Sequence, residues 1–333
     1  MIGADIGTYN LVICKREKDG FSNKREVNAF IELPLDNRFV FNMMKSAGVP
    51  LIERPEAGVA YALGEAAVNI AYTMGSVDLK RPMKDGCLNP KEKSAQQILN
   101  IMIHSLIGEL KEDGEVLYYS VPANAINEET DAEYHGKILE AMLKSFQDSK
   151  GRKVTPYRIN EALALVYAEL KEKAYTGIGI SFGAGMVNLA FAMYGNPMFQ
   201  FSIVNSGDWI DKMAAKATGE SIAYINKEKT KLDLTVEPDT LVLRAIKAQY
   251  EIMIQKTVSE IKKGLETTEN KARGNDIDIV VSGGTASPKG FETIFEETIR
   301  NSHLPIQIGK IIKPKDTLYS VARGALFAAE ASK

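Results

Sequence analysis

The segment Ala4-Asp5-Ile6-Gly7-Thr8-Tyr9-Asn10-Leu11-Val12 has a counterpart far along the chain, Ile180-Ser181-Phe182-Gly183-Ala184-Gly185-Met186-Val187-Asn188-Leu189-Ala190. Each reads as a buried strand, a turn of small residues beginning with Gly, and an Asn-Leu pair that opens a second strand. Aligned on Asn-Leu, the second turn is two residues longer. After each copy a turn, Lys18-Asp19-Gly20 or Gly195-Asn196-Pro197, leads towards a further apolar strand, expected at 27–33 and at 198–204. The chain therefore reads as two similar halves, each opening on a β-meander.

Outward from these segments, apolar periodicity predicts helices at 94–110, 131–149 and 161–173 and strands at 115–121 and 155–159. The second half continues with helices at 208–218, 241–267, 290–301 and 318–331 and a strand at 277–281. Strands alternating with helices imply parallel sheet and βαβ crossovers. The expected division is residues 1–157, with an inserted small subdomain at about 33–78, and 158–333, with an insertion at about 208–273.

The 333 residues, 45% hydrophobic and 25% charged, can bury a sizeable core. A net charge of −2 from 41 basic and 43 acidic residues offers no global field to attract nucleic acid, and none is expected as a direct partner. Cys14 and Cys87 stand apart from each other and from His104, His135 and His303, which argues against a disulfide framework or a structural zinc site and fits a reducing cytoplasm. The first residues lack the basic and apolar regions of a signal peptide. Residues 174–207 carry no Asp, Glu, Lys or Arg, yet Gly177, Gly179, Gly183, Gly185 and the Gly195-Asn196-Pro197 turn divide them into strands rather than a membrane span.

Gly7 and Thr8 in a tight turn offer backbone N–H groups and a hydroxyl to an anion, and Asp5 just upstream can hold a hydrated Mg²⁺. The turn at Gly183, Ala184 and Gly185 supplies a second set of donors, and two such turns facing each other would clamp a triphosphate. No G-x-x-x-x-G-K-[ST] sequence occurs, and Gly183-x-Gly185 leads into a strand rather than a helix, unlike a dinucleotide fingerprint. Near the C-terminus, Ser282-Gly283-Gly284-Thr285 ends a buried strand, where Gly lets a flat ring approach the backbone.

Together with Arg81-Pro82-Met83-Lys84-Asp85-Gly86, Asn160-Glu161-Ala162-Leu163, Ser206-Gly207-Asp208-Trp209-Ile210-Asp211 and the closing run from Asp316 to Leu326, these motifs resemble the actin, sugar-kinase and heat-shock-chaperone superfamily over nearly the whole chain. The likeness is strongest to bacterial MreB-type actin homologues. It implies an α/β protein of two duplicated actin-like, ribonuclease H-like domains with an interdomain nucleotide cleft for ATP or ADP and Mg²⁺. It further implies that Asp5 holds the metal's water shell and that Gly7, Thr8, Tyr9 and Asn10 meet the β- and γ-phosphates. Glu161 would orient the attacking water, which makes Asp5 and Glu161 the candidate catalytic pair. Ser181, Gly183, Ala184, Gly185 and Met186 would form the second phosphate loop. Lys227 and Glu228 would meet adenine and ribose, Asp208 would lie near the ribose, and Gly283, Gly284 and Thr285 would floor the adenosine pocket.

Relatives open the second loop with Asp, often followed by G-G-G-T, where this chain has Ser181, Ala184 and Met186. Losing a carboxylate and a hydroxyl there weakens hydrolysis more than binding, because phosphoryl transfer rests on charge neutralisation and positioning. The expectation is an ATP-binding cytoskeletal protein that forms nucleotide-dependent homopolymers and hydrolyses ATP slowly, with membrane-associated or scaffold proteins as further partners. The alternative is a non-polymerising adaptor of the same fold that uses ATP as a conformational switch. A small-molecule kinase is disfavoured, since no large substrate domain interrupts the pattern.

Overall fold

The computed structural model describes residues 1–333 except 37, 75–77, 93, 127–130, 268–275 and 333. The chain opens with an antiparallel meander, β1 (Ile2–Ile6), β2 (Asn10–Glu17) and β3 (Gly20–Val27). It then leaves this sheet for a small one made of β4 (Phe30–Pro34), β5 (Leu51–Arg54) and β6 (Val59–Leu63), accompanied by helices α1 (Arg38–Ser46) and α2 (Gly64–Met74). A short hairpin, β7 (Met83–Lys84) and β8 (Cys87–Leu88), leads into α3 (Ala95–Ile107), β9 (Glu115–Val121), α4 (Ala132–Lys144) and β10 (Val154–Asn160). The first five-stranded sheet has the order β10-β9-β1-β2-β3, with β1, β9 and β10 mutually parallel.

After α5 (Glu161–Glu169) the plan repeats. A meander of β11 (Gly177–Phe182), β12 (Val187–Met193) and β13 (Asn196–Ile203) occupies the charge-free stretch. Three helices follow, α6 (Gly207–Thr218), α7 (Ile222–Lys229) and α8 (Leu241–Glu266), then β14 (Ile277–Ser282), α9 (Phe291–Asn301), β15 (Ile308–Ile312) and α10 (Ser320–Ala331). The second sheet, β13-β12-β11-β14-β15, has the first sheet's order and strand directions. The third meander strand of the first half lies elsewhere than expected. Residues 27–33 are split between the end of β3 and β4, which belong to different sheets, with Asn28 and Ala29 between them. The true third strand, β3, is an exposed sheet edge whose Ser22-Asn23-Lys24-Arg25-Glu26 run carries no apolar alternation. The expected join at 157 falls inside β10, and the expected end of the second insertion, residue 273, lies outside the described residues.

Local chemistry sets the main helices. Asn160 caps α5, its side chain accepting from the N–H groups of Ala162 at 3.0 Å and Leu163 at 3.1 Å. Thr240 caps α8, whose buried stripe Ile246, Tyr250, Met253, Ile254, Thr257, Ile261 and Leu265 follows the helical period. Helix α5 is buried over five successive residues, Ala162 to Val166, because it lies between the two halves against α10 and is covered on several sides.

Three glycines allow this central packing. A Cβ on Gly3 of β1 would stand 2.0 Å from the carbonyl oxygen of Ala322 in α10, and one on Gly179 of β11 would stand 2.2 Å from that of Ala162 in α5. On Gly324 it would lie 1.8 Å from the carbonyl oxygen of Ala164, where α10 crosses α5. Each sheet thus presses a bare backbone onto its own helix, and the two helices press on each other the same way. Gly324→Ala would gain about 1 kcal/mol in helix propensity, but the methyl must displace fixed backbone, an overpacking cost at the top of the usual range, about 3 kcal/mol or more. The expected net result is a loss of about 2 kcal/mol or more in unfolding free energy, read from urea denaturation, and an unchanged or raised midpoint would refute the contact.

Candidate functional site

The meander turns are built alike. Gly7 N donates to Asn10 O at 3.0 Å, and Gly183 N donates to Met186 O at 3.0 Å. Each turn therefore spans four residues, and Asp5 is matched by Ser181, Asp5 pairing with Val12 and Ser181 with Asn188. The Asn-Leu alignment made the second turn too long: the structural counterpart of Asn10 is Met186, and that of Asn188 is Val12. Strand register, which two similar letters do not reveal, sets the correspondence.

The second turn is fixed from behind. Its Gly183 carbonyl accepts from Gly207 N at 3.2 Å and Thr285 Oγ1 at 2.8 Å, and its Ala184 carbonyl accepts from Asp208 N at 2.8 Å and Ser206 Oγ at 2.6 Å. The start of α6 and the Gly283-Gly284-Thr285 corner thus hold the turn by its acceptors, and its remaining backbone groups lie along a cavity of about 290 Å³. The first turn lines the same cavity and approaches the second closely, since a Cβ on Gly185 would stand 2.4 Å from Thr8 Oγ1 and 2.4 Å from Gly86 N. The volume is at the small end for ligand pockets.

Asp5, Gly7, Thr8, Tyr9, Asn10, Glu161, Ser181, Gly183, Ala184, Gly185, Met186, Asp208, Gly283, Gly284 and Thr285 all line this one cavity. Several of their side chains have partners of their own. The Asn10 side chain accepts from Arg25 Nε at 2.8 Å, the guanidinium of Arg81 covers the Tyr9 ring, and the Met186 side chain packs against Gly86. The Gly pair divides its roles. Gly283, at φ +98°, has no room for a Cβ, which would meet the Phe182 carbonyl at 2.3 Å, whereas Gly284 faces open space, a surface on which a flat ring can lie.

Lys227 and Glu228 are not among the lining residues; Asn226, Lys229 and Thr230 are. Helix phase explains the change. The cleft face of α7 carries positions 226, 229 and 230, leaving Lys227 to reach the Tyr72 hydroxyl at 2.7 Å and Glu228 to pair with Lys231. Lys229 Nζ bonds the buried Asp211 at 2.7 Å and the Gly207 carbonyl at 3.1 Å, and Asn226 donates to Asp211 at 2.7 Å. The second Asp of the Ser206-Gly207-Asp208-x-x-Asp211 turn therefore fixes α7 at the cavity wall.

The two cleft carboxylates have different partners. Ser120 Oγ accepts from Ile6 N at 3.1 Å and donates to Asp5 Oδ1 at 2.8 Å. Glu161 accepts from Ser181 Oγ at 2.5 Å and from Asn188 Nδ2 at 2.8 Å, and Ser202 Oγ donates on to Asn188 Oδ1 at 2.5 Å. Ser181 thus spends its hydroxyl proton on Glu161. Burial pushes the Asp5 carboxyl above its ordinary range. Burial, with the charge of Asp5 added, pushes that of Glu161 further up, against the bond from Ser181. Such a pair suits a cation between or beside its members. Among the described residues no group of three or more His, Cys, Asp or Glu side chains forms an all-protein metal site, so a Mg²⁺ here would need ligand oxygens as well. No sequence motif marks Ser120, Asn188 or Asn226 as cleft residues, while Lys229 directly follows the expected Lys227-Glu228 pair. Pairing Asn188 with Ser181 across the hairpin was the available signal for one of them.

The raised carboxyls also set a pH dependence. Their folded-state pKa values exceed the unfolded values near 4, so the stabilisation that protonation brings is complete below about pH 4 and is lost as pH rises through the elevated folded values. Without nucleotide or Mg²⁺, the urea midpoint should rise as pH falls from about 8 to about 5, and Glu161→Gln should flatten most of that slope. A wild-type slope that survives Glu161→Gln intact would exclude this pair as its source.

A model of the Volactin family matches residues 1–329 of the chain. No curated protein sequence matches it. Among solved structures, the chain is similar to MamK in a double helical filament, with a TM-score of 0.71 and 17% identity over 99% of this chain and 98% of that one. It is also similar to MreB5 of Spiroplasma citri bound to AMPPNP, with a TM-score of 0.66 and 16% identity over 99% and 96%. A further similar structure is the ethanolamine utilization protein EutJ from Carboxydothermus hydrogenoformans, with a TM-score of 0.51 and 16% identity over 98% and 89%. At these identities the structural likeness establishes the fold, which is actin-like. With the family model spanning almost the whole of it, the chain belongs to the Volactin family.

Proposed function

We propose that the chain binds ATP or ADP with Mg²⁺ in this cleft and assembles with copies of itself into nucleotide-dependent filaments in the cytoplasm, hydrolysing ATP slowly. The observation that carries the reading is the pair of equally closed glycine turns, Gly7–Asn10 and Gly183–Met186, lining one cavity from two sides with the open Gly284 surface beside them. Similar proteins add support: MreB5 binds AMPPNP or ADP, and MamK forms a double helical filament. The two halves, divided between β10 and α5, would move as domains, with the β4–β6 region and the α6–α8 region as their insertions.

In this reading the backbones of Gly7, Thr8, Tyr9 and Asn10, with the Thr8 hydroxyl, take one side of the phosphates, and those of Gly183, Ala184, Gly185 and Met186 take the other. Gly283, Gly284 and Thr285 floor the adenosine side, with Asp208, Asn226 and Lys229 around it. Asp5 would hold Mg²⁺ together with phosphate oxygens, and the ion would neutralise phosphate charge. Glu161, held by Ser181 and Asn188, orients a water with whichever lone pairs those donors leave free. The adaptor reading has one observation of its own. Where the first half has Asp5 the second has Ser181, whose hydroxyl serves Glu161, so one fewer negative charge is offered to a metal.

Isothermal titration of the full chain with Mg-ATP and Mg-ADP should give dissociation constants in the micromolar range, about −8 kcal/mol. Absence of binding at millimolar nucleotide would end the reading. Above a critical concentration, ATP or a non-hydrolysable analogue should drive protein into a sedimentable pellet that contains filaments by electron microscopy. A bound but strictly monomeric chain would favour the adaptor. Glu161→Gln preserves shape and should leave nucleotide affinity within about twofold while slowing hydrolysis about tenfold or more, 1.4 kcal/mol in the barrier. Affinity falling in step with hydrolysis would remove Glu161 from the water-orienting role.

A further inference from the structure

Residues 80–82, just before β7, have a backbone held on both sides. Phe30 and Lys80 exchange two backbone hydrogen bonds of 2.9 Å, and Asn89 N donates to the Pro82 carbonyl at 2.9 Å. Arg81, between these anchors, points towards the other half. Its Nη1 donates to both carboxylate oxygens of Asp208, at 3.0 and 3.1 Å, and its guanidinium carbon lies 5.0 Å from the centroid of the Tyr9 ring. The two groups of the ion pair are 25% and 19% exposed, so the pair is largely shielded from water. A second ion pair, Lys212 to Asp85 at 3.3 Å, joins the same two halves nearby but is more exposed.

Tyr9 belongs to the first glycine turn and Asp208 to the start of α6, which holds the second turn through the Ala184 carbonyl. Both line the cavity, on opposite sides, and one guanidinium ties them together. Arg suits this position where Lys does not, because its planar group stacks on a ring and bonds a carboxylate at the same time. Its backbone is fixed, so the side chain has little slack with which to follow an opening of the halves.

Resting on the nucleotide reading of the cleft, we propose that Arg81 is a positioning residue for nucleotide retention: by bonding Asp208 and covering Tyr9 it bars the cleft between the two halves, and nucleotide leaves only when that bar opens. Its contribution then appears in the dissociation rate rather than in the chemical step, since it touches neither Asp5 nor Glu161.

The test is stopped-flow displacement of a fluorescent ATP analogue from the full chain in Mg²⁺, with wild type, Arg81→Ala, Asp208→Asn and the double variant. Each single change should raise the dissociation rate about tenfold, 1.4 kcal/mol, and the double variant should be no faster than the faster single, because both remove the same bar. The single-turnover hydrolysis rate in Arg81→Ala should stay within about twofold of wild type, a result that general damage to the fold would not give. Arg81→Lys keeps the charge but loses the stack and should fall between wild type and Arg81→Ala; it carries the test alone if the Ala variant does not fold. A wild-type dissociation rate in Arg81→Ala or Arg81→Lys overturns the proposal, as do single effects that multiply in the double variant. Wild type that binds no analogue would instead overturn the nucleotide reading beneath it, so the two failures are told apart by the first measurement.

Discussion

The structure depends on backbone pressed against backbone at its centre. Gly3, Gly179 and Gly324 let β1, β11 and the α5–α10 crossing approach to distances at which no side chain fits. Close-packed interiors transmit displacement instead of absorbing it, so a shift of either helix reaches both sheets. Each central strand runs straight into a glycine turn of the cleft, β1 into Gly7 and β11 into Gly183, and α5 begins with Glu161 at its first residue. One contact therefore fixes the relative positions of both turns and of the carboxylate between them.

Around that frame, electrostatics divides the labour in the cleft. The walls offer backbone N–H groups and a hydroxyl, which suit phosphate, while the floor holds Asp5 and Glu161, which without a cation oppose each other. The two carboxylates are not interchangeable. Among the described residues Asp5 has a single side-chain donor, Ser120, whereas Glu161 sits at the end of a relay from Ser202 through Asn188 and takes a second bond from Ser181. A group with several fixed donors keeps one orientation, and a group with fewer keeps more free lone pairs.

The duplication explains why the two halves can differ in chemistry without differing in form. Both meanders close their turns with the same i to i+3 bond and place the same strand position at the cleft, yet one offers Asp5 and the other Ser181. The regions that follow the two meanders differ further. In the first half β4–β6 form a three-stranded sheet with α1 and α2, whereas in the second half helices α6, α7 and α8 follow the meander, and among the described residues only the latter region lines the cavity, through Gly207, Asp208, Asn226, Lys229 and Thr230.

By itself the sequence determined the features governed by neighbours along the chain. The glycine turns, the helix from Glu161, the helix from 241 and the strand ending at Ser282 are set by turn chemistry and periodicity, and they appear where those signals stand. The polar edge strand β3 escaped because an exposed strand carries no apolar alternation, and the turn correspondence slipped because register is a relation between strands. Only the tertiary structure decided that Lys229 rather than Lys227 faces the cleft, that Ser181 bonds Glu161, and that Arg81 spans from Tyr9 to Asp208. Each of these depends on the phase of a helix or the distance between segments far apart in sequence, quantities fixed by how α5 and α10 pack between the two sheets and not by any local run of residues.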